Sequence, residues 1–96
     1  MNEYQTLIES APVVLVEFFA TWCPHCRHMI PVVADVKERV NGVAEIYQLD
    51  IDKNAELADA VDISTVPTFI LYRDGREVWR QSGEIAGDEL LSRIER

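Results

Sequence analysis

Cys23 and Cys26 are the two cysteines of this 96-residue chain, and two residues separate them. A disulfide between them would close almost no loop and stabilise little through chain entropy, so the pair points to chemistry rather than to a staple. Two thiols this close can alternate between dithiol and disulfide. One thiolate attacks a foreign disulfide and the other resolves the mixed disulfide that results. Pro24 and His25 stand between them. Proline is favoured at the first helical position, where its missing N–H costs nothing. With Pro24 there, Cys23 is the N-cap and Cys26 is the third helical residue. An N-cap side chain accepts from the amides of the second or third residue at the positive end of the helix, and both effects favour a thiolate. Cys23 is thus expected to be an exposed nucleophile, and Cys26, one turn in and facing inward, the resolving thiol. His25 either tunes the Cys23 sulfur, together with Pro24, or is a solvent-facing spectator.

Other residues could join this chemistry. Glu17 interrupts an apolar run, where an acid is costly unless neutralised or hydrogen-bonded. It either lies beneath the helix and exchanges a proton with Cys26, its pKa raised by desolvation, or reaches water at a sheet margin. Cys23, His25, Cys26 and His28 offer four metal ligands within six residues. A single helical turn cannot wrap all four round one tetrahedral ion, so no metal or other cofactor is expected, and His28 reads as a surface residue. Pro67 restricts Val66 to an extended conformation, from which Val66 can offer backbone groups to an extended peptide. A plain trans proline opening a strand is the alternative. Trp22 is either a ring facing substrate or half-buried core, and Trp79 is packing or edge-strand surface.

The surrounding pattern supplies elements that hold these residues. Residues 2–10 read as a short helix with Tyr4, Leu7 and Ile8 on its apolar side and Asn2 as cap, ended by Pro12. Residues 13–20 are a nearly continuous apolar run, as in a strand covered on both faces. From Pro24 to about Val40 the apolar positions recur at steps of three or four, giving an amphipathic helix that Pro31 should kink and Asn41-Gly42 should close. A strand over 43–51 completes a βαβ unit, whose crossover is expected to be right-handed. A helix over 54–61 capped by Asn54, a strand over 68–72, an Asp74-Gly75 hairpin turn, a strand over 78–82 and a helix capped near Gly87-Asp88 follow. The order αβαβαββα predicts a three-layer α/β domain with a mixed sheet, and the length suits one domain over residues 1–96.

Composition narrows the partners. Seventeen acids stand against nine Lys and Arg, a formal charge of −8. No basic stripe is present, which argues against nucleic acid. No run approaches the ~20 apolar residues of a membrane span. The start MNEYQTLIES lacks a cationic signal segment, so a cytoplasmic location is expected.

Phe18-Phe19-Ala20-Thr21-Trp22-Cys23-Pro24-His25-Cys26 closely resembles the active-site segment of the thioredoxin family. Thr65-Val66-Pro67-Thr68 is similar to the family's cis-proline loop, and Asp74-Gly75 to its hairpin turn. The match runs from about Pro12 to Ile94. It implies a thioredoxin-like α/β/α sandwich with a mixed sheet of four strands, the family's additional N-terminal strand being absent here. It also implies a cis Val66–Pro67 bond facing the cysteines, a flanking role for Trp22 and a proton relay through Glu17. The expected activity is thiol–disulfide exchange by a monomer, with protein dithiols and disulfides as substrates and a reductase or oxidant to recharge it. The sequence departs from the family in carrying Pro-His where thioredoxins usually carry Gly-Pro. That dipeptide is similar to the one in DsbA-type oxidants and implies a more oxidising pair. A peptide-binding adaptor without turnover and a CxxC metal module are the rival expectations.

Overall fold

A computed structural model describes residues 2–96, the Asn2 side chain excepted. The elements are α1 (Asn2–Ile8), β1 (Val13–Phe19), α2 (Pro24–Arg39), β2 (Glu45–Asp50), α3 (Ala55–Ala60), β3 (Thr68–Arg73), β4 (Arg76–Ser82) and α4 (Gly87–Glu95). Their order is the expected one. The cap expected at Asn2 lies outside the described residues.

The sheet runs β2-β1-β3-β4. β1 is parallel to β2 and antiparallel to β3, and β3 is antiparallel to β4, so the sheet is mixed. The unbroken apolar run of β1 is explained by its central position, since both of its faces are covered. Leu15 joins Phe69 and Leu71 in a core closed by Met29, Val33 and Val36 of α2 and by Leu90 and Ile94 of α4. Val14, Val16, Phe18 and Ile70 face the other way, against Tyr4 and Ile8 of α1 and the half-buried Leu57 of α3. Helices therefore cover both faces, and the sheet is the middle of three layers.

Several boundaries fall inside the expected ones for local reasons. α1 stops at Ile8 rather than residue 10, because the Ser10 amide and hydroxyl both donate to the Leu7 carbonyl and close the last turn. β2 starts at Glu45 rather than 43, because the amides of Val43 and Ala44 both donate to Val40 O and are held on the end of α2. Gly42 makes this exit possible at φ 84°, a conformation that costs a residue without Cβ little. Two expected caps are corrected. Asn54 stands at the start of α3, but its Nδ2 donates to Asp50 O at 2.9 Å and its side chain does not cap the helix. The residue before α4 is Ala86, which has no capping side chain.

The Asp74-Gly75 turn has φ of 51° and 79° and joins β3 to β4 with two residues, as a primed turn requires. β4 consequently begins at Arg76, two residues before the expected strand. Leu71 is opposite Trp79 and Tyr72 is opposite Glu77, with a register shift between them. Val78 is the extra residue, a bulge that leaves its side chain exposed. Trp79 packs at the margin of the core, with the Arg93 guanidinium 5.3 Å from its ring centre.

Candidate active site

β1 ends at Phe19, and Cys23 N–H donates to Ala20 O in a turn that leads into α2. Pro24 opens the helix and Cys23 is its N-cap, with the extended backbone of that position. The Cys26 amide donates to Cys23 Sγ at 3.2 Å. The amide that the start of a helix leaves without a partner thus points at the sulfur. Both thiols are free.

The Cys23 sulfur is not exposed, contrary to expectation. Cys23 is 4% exposed and Cys26 3%. The loop before β3 accounts for the cover of Cys23, whose Sγ donates to Val66 O at 3.6 Å. The Val66–Pro67 bond is cis, as the resemblance implies. That loop is tied down on both sides: Gly83 N–H donates to Pro67 O at 2.8 Å, and the buried Thr68 donates its hydroxyl to Thr65 O. A cleft of about 310 Å³ runs beside the sulfur between Trp22 and residues 63–66. Trp22 forms its open rim, 62% exposed, with its indole N–H on Asp52 Oδ2 at 2.9 Å.

Behind Cys26 a second cavity of about 420 Å³ is lined by Glu17, Ala20, Cys26, Ile30 and Gln48, among others. Glu17 is buried at 2% exposure, which excludes the arrangement in which it reaches water at a sheet margin. Burial raises its pKa, opposed by a hydrogen bond from Gln48 Nε2 to Oε1 at 3.0 Å. The Cys26 thiol is pushed up to about 12, chiefly by burial, then by its hydrogen bond to Cys23 and the nearby Cys23 and Glu17 charges.

His25 does not depend on the sulfur for a partner. Its Nδ1 is 2.6 Å from Glu84 Oε2, and His28 Nδ1 is 3.0 Å from the same oxygen. These bonds hold the Glu84 carboxyl below the usual carboxylate range. His28 is on the surface as expected, but it has a partner. Three residues at the site escaped sequence reasoning: Gln48, Asp52 and Glu84. Gln48 could have been found by setting β2 against β1, where it falls opposite Glu17. No local signal marks Asp52 or Glu84.

A mixed sheet between helix layers, a dithiol at a helix N-terminus and a cis-proline loop against the first sulfur define a thioredoxin-fold domain. Residues 1–96 match the sequence profile described as Thioredoxin. Thioredoxin Y2, chloroplastic, of Arabidopsis thaliana is 35% identical over 95 residues, covering 98% of this chain and 57% of its own length. Thioredoxin-2 of Saccharomyces cerevisiae is 36% identical over 83 residues, covering 85% of this chain and 79% of its own. Among solved structures, a point mutant of thioredoxin from Halobacterium salinarum superposes with a TM-score of 0.90 at 34% identity, covering 99% of this chain and 82% of that one. The chain belongs to the thioredoxin family. It spans little more than half the length of the chloroplastic relatives it matches. Among the described residues, no helix is long and apolar enough to cross a membrane.

Proposed function

We propose that this chain is a thiol–disulfide oxidoreductase acting on protein disulfides, with Cys23 as nucleophile and Cys26 as resolving thiol. The observation that carries the assignment is the Cys26 amide on Cys23 Sγ at 3.2 Å, a donor aimed where a thiolate gathers charge. The Cys23 thiolate attacks one sulfur of a client disulfide. The client S–S bond breaks, and its second sulfur leaves as a thiolate. Cys26 then attacks the Cys23 sulfur, the mixed disulfide breaks and the client's remaining sulfur leaves. The client has gained two electrons and the chain holds a Cys23–Cys26 disulfide. Because Cys23 is covered by Val66, the first step requires a client strand to enter the cleft between Trp22 and Val66 and displace the contact with the Val66 carbonyl.

Cys26 must lose its proton for the second step. Burial, the largest cause that raises the Cys26 pKa, persists in the mixed disulfide and disfavours the thiolate, so a proton acceptor in the same cavity speeds resolution. Glu17 is that acceptor. A reductase that returns two electrons recharges the pair for reduction, and an oxidant that removes them recharges it for disulfide insertion. Pro24 and His25 make this disulfide more oxidising than a Gly-Pro pair would be. The chain works as a monomer, and in the cytoplasm the first direction would prevail, since thiols are kept reduced there.

Cys26→Ser should accumulate mixed disulfides with a protein substrate and Cys23→Ser should accumulate none, scored on non-reducing gels. Equal trapping by both variants would overturn the assignment. Insulin reduction with dithiothreitol separates turnover from a peptide-binding adaptor. An adaptor would leave the rate at its uncatalysed value.

A further inference from the structure

The four potential metal ligands gathered in residues 23–28 separate in space. Both sulfurs are buried, and Cys23 Sγ is engaged by the Cys26 amide and the Val66 carbonyl. Both imidazoles stand on the exposed side of the first turns of α2, at a spacing of three that puts them on one helix face. They converge on Glu84, from the segment 83–86 between β4 and α4. One donor atom from each of the three residues lies within 4.8 Å of the others. The backbone that presents Glu84 is fixed on both sides, by the bond from Gly83 to Pro67 O and by the buried Ile85.

We propose that His25, His28 and Glu84 form a site for a divalent transition-metal ion, with zinc as the type case. Two imidazoles and one carboxylate suit Zn²⁺, Cu²⁺ or Ni²⁺ far better than Mg²⁺ or Ca²⁺, which prefer oxygen donors. Bonds of about 2.0–2.1 Å in a tetrahedral ion put neighbouring donors about 3.4 Å apart. The present contacts of 2.6 and 3.0 Å must therefore open by less than about 1 Å. The side chains are 67%, 66% and 41% exposed, so rotation about their own bonds accomplishes this without moving the core. Three protein donors leave the ion at least one position for water or an incoming ligand. The charge of −8 draws cations to the surface. The positive end of α2 opposes them, and the effect is small beside three coordination bonds.

The test is calorimetric titration of the untagged chain with zinc chloride. The wild type should bind one equivalent. His28→Gln and Glu84→Gln should each weaken binding by at least about tenfold, and magnesium chloride should give no binding heat. The Cys23→Ser, Cys26→Ser double variant, checked for folding by circular dichroism, should bind zinc like the wild type. Absence of zinc binding by the wild type would overturn the proposal, as would His28→Gln and Glu84→Gln variants that bind as tightly as the parent. Loss of binding in the folded double-serine variant would do the same, by assigning the ion to the thiols. None of these arms reads thiol exchange, so the site can fail while the exchange activity stands, and the reverse.

Discussion

Replacing Glu17 with glutamine should make the protein more stable at neutral and alkaline pH, and less so in acid. Glu17 is 2% exposed and accepts one hydrogen bond, from the neutral amide of Gln48. Burial lifts its pKa in the folded state, whereas the unfolded chain titrates near the ordinary value. A carboxyl raised in this way contributes stability that is fully present below the unfolded pKa and is lost as pH rises through the folded one. Each unit of elevation is worth about 1.4 kcal/mol once pH is above both values. Glutamine has nearly the same size, can keep the Gln48 bond through its carbonyl, and does not titrate. The gain from Glu17→Gln should therefore grow between pH 4 and pH 8 by about 1.4 kcal/mol for every unit of elevation. In a chain of this length one such unit moves the thermal midpoint by roughly 6–11 °C. Cys26 ionises only at about 12, outside the window, and other carboxylates cancel between the two proteins. Urea unfolding of the reduced proteins at both pH values gives the double difference directly. A gain that is the same at pH 4 and pH 8 would show that Glu17 ionises as it does in the unfolded chain, and the relay would lose its basis. In exchange assays the same variant should slow release of the mixed disulfide at neutral pH while sparing the first attack.

The Pro24→Gly, His25→Pro double variant should be a weaker oxidant than the wild type, measured as the equilibrium constant with glutathione. A shift of about 30 mV corresponds to 1.4 kcal/mol, and an equal or more oxidising variant would remove His25 as the tuning element. Cys23→Ala deletes the acceptor of the Cys26 amide and should be less stable than Cys23→Ser by about 1 kcal/mol. Equal denaturation midpoints for the two would show that the cap contributes nothing. Tyr4→Phe should cost about 1 kcal/mol, because it leaves the Tyr72 hydroxyl without its 2.7 Å partner. Leu90→Ala, at a fully buried position between α4 and the sheet, should cost about 2–5 kcal/mol in urea unfolding.

What the sequence disclosed depended on how near the deciding partner lay. Pro24 alone places Cys23 at the N-cap, because the reason is contained in one helical turn. The same holds for Asp74-Gly75, where two consecutive positive φ values admit few other residue pairs. The resemblance supplied the cis bond at Val66–Pro67, which local patterning left open beside a trans proline. The burial of Cys23 was hidden because its cover comes from Val66, brought there by the return of the chain into β3. Glu84 was hidden more deeply, since nothing around it distinguishes it from the many other acids of this chain. Asn54 shows the limit of a local rule. A residue favoured as a cap turned its amide to Asp50 O instead, and composition alone does not rank those two partners.

The bulge at Val78 bears on how this molecule meets other chains. The outer edge of a sheet is an open template for an extended segment, and partly unfolded clients carry such segments. β4 presents Arg76, Glu77 and Arg80 and loses its even spacing at Val78, features that discourage a further strand from joining. At the opposite edge, β2 carries Glu45, Gln48 and Asp50. A loosely folded chain that comes close therefore finds little purchase on either side of the sheet. The cleft beside Val66 is left as the more open place for an extended backbone, so the two guarded edges favour contact close to the sulfurs.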